Sequence, residues 1–296
     1  NYQILFLQGG ASTQFAMVPL NLMGKNGTAD YLVTGAWGKK AAVEAGRVGT
    51  AHVAWSGSDE GFVRVPDRSE YELNPDAAYV HMTSNETVHG VQWQEFPESV
   101  APIVCDVSSD FLSRPKNVGH FGMLYAGAQK NVGPAGVTIV IMSDELIERT
   151  PTDQFSMLSY RVHAAKQSMF NTPPCFGIYV VELVTRWLLE TIGGLDAMAA
   201  LNAEKAARLY RCIDQSGGFY AGRAATESRS SMNVTLGISD PSLEPIFVSE
   251  ADQAGLIGLK GHRMLGGLRA SIYNAMTLEG IDALTDFMTE FKRTRG

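Results

Sequence analysis

Short apolar runs of strand length, each closed by glycine or polar residues, constrain the fold of this chain more than any other feature. They occupy residues 4–7, 30–33, 51–55, 62–65, 78–83, 102–105, 121–126 and 137–142. Runs this apolar, rather than strictly alternating, belong to strands buried on both faces. Helix-like spacing at residues 15–23 and 39–46 falls between the first of them. Alternation of this kind predicts a mostly parallel sheet covered on both faces, with ligands gathering beyond the carboxyl ends of its strands.

Past residue 142 the pattern changes. A rigid polar turn at residues 169–174 leads into a long apolar helix at 176–191, which Gly193 and Gly194 stop. An amphipathic helix over residues 195–214, a strand at 232–238, a helix at 243–254 and a final helix at 278–292 then predict a small α/β domain. The expected domains are therefore residues 1–190 and 191–296.

A chain of 296 residues with 45% hydrophobic and 19% charged content can bury cores of this size. Its net charge of −7 and the lack of any basic run exclude the electrostatic footprint of a nucleic-acid or anionic-membrane binder. An anionic ligand must instead be held by a few placed cations. The three cysteines, Cys105, Cys175 and Cys212, are odd in number and contain no CxxC pair. They indicate neither a disulfide framework nor a zinc site, and they fit a reducing, cytoplasmic setting. No apolar run approaches the ~20 residues needed to span a bilayer.

Four places carry candidate chemistry. In residues 125–136, Tyr-Ala-Gly-Ala-Gln-Lys-Asn-Val-Gly-Pro-Ala-Gly, Lys130 stands among small residues on the connection between two expected strands. A solvated loop lysine keeps a pKa of about 10.4, whereas a desolvated one yields a neutral amine able to attack a carbonyl. The Gly9-Gly10-Ala11-Ser12-Thr13-Gln14 junction joins a strand to a helix start, which points backbone N–H groups at one spot and suits a phosphate. It matches neither GxGxxG nor the P-loop spacing. Trp37, just past a strand end, is either packing or a flat surface for a ring. Asp106, at the carboxyl end of a buried strand, either caps the next element or serves a ligand. Together these parts fit pyridoxal 5′-phosphate, which has a phosphate, a flat ring, a ring nitrogen kept protonated by an acid, and an aldehyde that bonds to a lysine.

The stretches FLQGGASTQFAMVPLNL, TGAW, HMTSNET, DVSSDFLSRP, YAGAQKNVGPAG, FNTPP and KGHRMLGGLRASIYNA, in this order and over essentially the whole length, resemble the phosphoserine aminotransferase family. These are class V aminotransferases of the aspartate-aminotransferase-like, fold type I, pyridoxal-phosphate enzymes. The resemblance implies a large domain with a mostly parallel seven-stranded sheet and a small carboxyl-terminal α/β domain. It implies that Lys130 bonds the cofactor covalently, that Asp106 holds the pyridine nitrogen, that Trp37 stacks on the ring, and that Thr87 lies beside the phenolic oxygen. Ala11 and Ser12 match backbone donors to the phosphate, and Gln129 matches a side-chain donor. Some members carry arginine at the position of Ser12, so that contact is not expected here.

Asn171 and Thr172 match residues that reach the neighbouring subunit's cofactor phosphate, which implies a homodimer. His262 and Arg263 match the pair on the substrate phosphate, and Arg269 matches the arginine on its α-carboxylate. The implied reaction is a ping-pong exchange between L-glutamate with 3-phosphohydroxypyruvate and 2-oxoglutarate with O-phospho-L-serine, in serine and, through 4-phosphohydroxythreonine, pyridoxine biosynthesis. A related class V enzyme acting on unphosphorylated substrates is the alternative, and a cofactor-binding form impaired at the substrate end is a third. The third follows from the opening at Asn1: the family's preceding segment, which adds a His-Arg pair to the substrate site, is expected to be missing.

Overall fold

The computed structural model describes residues 1–24 and 26–296. The large sheet is built from β1 (Tyr2–Leu7), β2 (Thr28–Val33), β3 (Thr50–Ser56), β4 (Val80–Thr83), β7 (Ile103–Asp106), β8 (Met123–Gly127) and β9 (Thr138–Ser143). Two short strands, β5 (Asn85–Glu86) and β6 (Val91–Gln92), pair with each other beyond β4. The order is β1-β9-β8-β7-β4-β2-β3, parallel except that β9 runs against both its neighbours. Every residue of β4, β7 and β8 is buried, including the polar His81 and Thr83 of β4, while β3 at the sheet edge is largely open.

Helices α1 (Gly10–Leu22), α2 (Ala36–Ala45), α3 (Asp144–Arg149) and α4 (Tyr160–Ala165) follow β1, β2 and β9. One sheet face packs Phe15, Met17 and Leu22 of α1 against Tyr31, Tyr125 and Val140. Both faces are covered, as expected, the second largely by loops. The second face, with Met82, Ile103 and Leu124, is covered by loop residues Tyr71, Trp93, Phe111 and Phe121 and by Val181 of α5 (Cys175–Trp187). The connections from β4 to β7 and from β7 to β8 contain no α-helix among the described residues. Residues 62–65, read above as a strand, are also irregular: Phe62 takes φ 59 after a 3₁₀ turn at Ser58–Glu60, which breaks extension.

After a π-helical turn at Leu188–Ile192, α6 (Leu195–Asp214), α7 (Glu244–Gln253) and α8 (Leu278–Arg295) pack on a three-stranded antiparallel sheet. Its strands are β10 (Tyr220–Gly222), β11 (Asn233–Ile238) and β12 (Leu268–Ser271), in sequence order. Leu209, Ile213, Val234, Leu236, Phe247, Met288 and Phe291 form a separate core there.

Candidate active site

Register brings the candidate residues to one edge of the large sheet. Thr138, the first residue of β9, pairs with Leu7 on one side and with Gly127 on the other. The Gly9 turn after β1 and the Lys130 turn after β8 therefore lie beyond the same edge. Thr83, Asp106 and Tyr125 are in register across β4, β7 and β8, which carries residues 84–87 and Asp106 to that edge as well.

Lys130 is half-buried, and its Nζ donates to Thr87 Oγ1 at 2.5 Å. Burial draws its ammonium below the ordinary lysine range, opposed by the charges of Asp106 and Glu86. Its Nζ is also 5.4 Å from the centre of the Trp37 ring, and Lys40 Nζ is 4.3 Å from the same centre.

Asp106 holds the turn at Ser108 and, among the described residues, leaves one carboxylate oxygen without a hydrogen bond. Its Oδ1 accepts from the Ser108 N–H (2.9 Å) and hydroxyl (2.6 Å), and among the described residues Oδ2 takes no hydrogen bond. Burial pushes the carboxyl up, while the Ser108 bonds and the Lys130 charge oppose it. Ser108 in turn accepts from the Gly127 N–H (2.9 Å), which ties the acid to the strand that delivers Lys130.

Trp37 sits in the first turn of α2, held through a residue the sequence reading passed over. Glu86 is fully buried, and its carboxylate accepts from the N–H groups of Trp37 (3.0 Å) and Gly38 (2.8 Å) at the positive end of the helix. Burial pushes Glu86 up to about 7, although both N–H bonds favour the charged form. Gly35 is required beside it, because a Cβ there would run into the Glu86 carboxyl.

The glycine junction forms the predicted helix start, with Gly9 and Gly10 at φ 93 and 67, conformations that favour glycine. Ala11 is half-buried and Ser12 exposed in the first turn of α1. The Gln129 amide folds back against Gly127, where a Cβ would lie 2.7 Å from its Oε1. Asn171 and Thr172 lie on the surface near this junction, with Gln8 Nε2 donating to the Thr172 carbonyl at 3.2 Å.

His262, Arg263 and Arg269 share an electrostatic cluster, in which burial and then the charges of Arg269, Arg263 and Lys40 hold the His262 imidazole down. His89 joins it: burial, His262 and Arg223 take its pKa to about 4. The Arg269 Nε is buried without a hydrogen-bond partner among the described residues. Lys40, His89 and Arg223 were not legible as site residues, since only the fold brings them to the His262 loop. A buried acid with a free oxygen, a desolvated lysine, an indole face and clustered cations that make no carboxylate contact among the described residues suit the ring nitrogen, aldehyde, ring face and anionic groups of pyridoxal phosphate and a phosphorylated amino acid.

The profile of the class-V aminotransferase family matches residues 1–284. The chain is 54% identical over 298 residues to the phosphoserine aminotransferase of Desulfosudis oleivorans, covering 100% of this chain and 82% of that one. It superposes on the solved phosphoserine aminotransferase of Bacillus circulans subsp. alkalophilus with TM-score 0.97 and 48% identity, over 100% of this chain and 82% of the other. It is similar as well to a pyridoxal-phosphate-bound phosphoserine aminotransferase from Trichomonas vaginalis, with TM-score 0.90 and 39% identity over 98% and 82% of the two chains.

Proposed function

The chain belongs to the class-V aminotransferase family, and we propose that its sheet-edge cluster carries out phosphoserine transamination with Lys130 as the catalytic residue. The observation that carries this assignment is the meeting of Lys130, Asp106 and the Trp37 ring beside a group of cations. Pyridoxal 5′-phosphate, when bound, supplies the aldehyde and the electron-withdrawing ring that stabilise negative charge at the substrate Cα. Amino groups pass from L-glutamate to 3-phosphohydroxypyruvate in ping-pong order, giving 2-oxoglutarate and O-phospho-L-serine for serine biosynthesis.

Each residue has a task. Lys130 Nζ, its affinity for protons lowered by burial, would hold the cofactor's aldehyde and serve as the base that moves the proton at the substrate Cα. Thr87 accepts from that amine and orients it, and its hydroxyl would lie beside the cofactor's phenolic oxygen. Asp106 Oδ2 would hold the protonated ring nitrogen, Trp37 would stack on the ring, and Glu86 holds Trp37 in place. The N–H groups of Ala11 and Ser12 and the Gln129 side chain take the cofactor phosphate. Arg269 grips the α-carboxylate, while His262 and Arg263 take the substrate phosphate.

Substrate choice tests this reading. With 2-oxoglutarate as acceptor, the purified holoprotein is expected to turn over O-phospho-L-serine at least about 10³-fold more efficiently than L-serine, because cations built for a phosphate are left unpaired without it. Comparable kcat/KM values would instead favour the unphosphorylated-substrate alternative.

We also place residues 1–190 in a cofactor-binding domain and 191–296 in a small domain, a division supported by the separate core of the latter. The working unit is a homodimer in which Asn171 and Thr172 complete the partner's phosphate site. Its support is the exposed apolar row Phe176, Tyr179 and Leu183 on α5, close in sequence to both residues. Leu183 and Trp187 also border a groove of about 550 Å³ that reaches Lys130. Tyr179→Asp is expected to yield monomers by sedimentation velocity and to weaken cofactor affinity about tenfold or more; a dimer with normal affinity would remove this part of the reading. No helix among the described residues is long and apolar enough to cross a membrane. All three cysteines are free, which supports a cytoplasmic setting.

A further inference from the structure

The buried side of α6 carries two polar residues, Asn202 and Lys205, in a row otherwise built from Met198, Ala206, Leu209 and Ile213. Lys205 is 0% exposed. Its Nζ donates to four backbone carbonyls, those of Ile272 (3.1 Å), Tyr273 (2.8 Å), Asn274 (3.4 Å) and Met276 (3.1 Å). Burial alone draws the ammonium down, to about 8, with no neighbouring charge contributing. Carbonyl dipoles converging on a cation, in place of its hydration shell, are how proteins hold bare monovalent ions. Here the ion is covalently tethered to α6.

The loop that these carbonyls belong to touches the active-site lysine turn. The Asn274 N–H donates to Asn131 Oδ1 (3.1 Å), and its side chain donates to the Leu112 carbonyl (2.9 Å). Asn202, one turn before Lys205, donates to Asn274 Oδ1 (2.9 Å) and to the Ser113 carbonyl (3.0 Å). Asn131 directly follows Lys130, and the loop directly follows β12, which carries Arg269. Without the ammonium, the carbonyls of Ile272, Asn274 and Met276 would face one another without this donor, that of Tyr273 would keep only the Met276 N–H (2.9 Å), and the loop would have to open.

We propose that Lys205 is a positioning residue that acts as a tethered monovalent cation: it gathers the carbonyls of residues 272, 273, 274 and 276, seats Asn274 on Asn131, and thereby fixes the turn carrying Lys130. The coupling to turnover rests on Lys130 being the catalytic lysine; the behaviour of the loop does not. Removing the side chain while leaving the carbonyls creates a site for a free ion of ammonium or potassium size.

The test uses the full chain, as holoenzyme for turnover and free of cofactor for amide exchange. In sodium chloride, Lys205→Ala is expected to lose about 10²-fold in kcat with little change in KM, the scale set by small misplacements of reacting groups. Ammonium, methylammonium or potassium chloride should restore much of that loss, and tetramethylammonium chloride at equal ionic strength should not. In the cofactor-free protein, amide exchange at residues 272–276 should quicken in the variant and slow again with the same small cations. Lys205→Met fills the space without charge and should lose kcat with no rescue, which covers the case in which Lys205→Ala fails to fold. Parent-like kcat in either variant, or a folded Lys205→Ala whose loop exchange no small cation slows, would overturn the proposal. Unchanged turnover in Lys130→Ala would instead remove the assignment of the catalytic lysine and leave the exchange result standing.

Discussion

Lys130→Ala is expected to lower phosphoserine transamination by at least about 10³-fold, since one amine both anchors the cofactor and moves the proton. The substitution removes a half-buried ammonium that burial already disfavours, so the fold should hold. Noncovalent contacts should still retain the cofactor, and added small amines should recover part of the turnover. The measurement is single-turnover kinetics with O-phospho-L-serine alongside circular dichroism. A folded variant turning over within tenfold of the parent would remove Lys130 from the mechanism.

Asp106 gives the second large effect, and the geometry separates its two roles. Asp106→Asn keeps an oxygen where Oδ1 accepts from Ser108 but loses the charge that Oδ2 offers a ring nitrogen. Stability should change little, while kcat falls by about 10²- to 10³-fold, the scale of losing one electrostatic contact to developing charge. Asp106→Ala should lose similar activity and, in addition, stability, because the Ser108 N–H is left buried without its acceptor. Parent-like kcat in Asp106→Asn, read beside its thermal midpoint, would reduce the residue to a cap.

The large sheet and its ligand edge were legible because β7 and β8, buried on both faces, read as near-continuous apolar runs. Lys130, Asp106 and Trp37 were legible as candidates because each stands where such a strand ends. What the chain's order hides is the partnership among distant segments. Nothing local marks Glu86 as the acid under Trp37, or joins His89, Arg223 and Lys40 to the loop of His262. Residues 62–65 have strand composition, but Phe62 turns back with positive φ, and Val63 then accepts from Ala225 rather than from a sheet neighbour. On α6 the apolar stripe was visible while its two polar members, Asn202 and Lys205, were not, since their acceptors lie far away in the chain, on the loop after β12 and at Ser113.

The covalent anchor is the most direct point of contact between these assignments and experiment. Borohydride treatment of the purified holoprotein makes a cofactor–lysine bond irreversible, and peptide mass spectrometry then locates it. The pyridoxyl group is expected on Lys130, in stoichiometric amount and lost in Lys130→Ala; its appearance on another lysine, with Lys130 unmodified in active protein, would contradict the account.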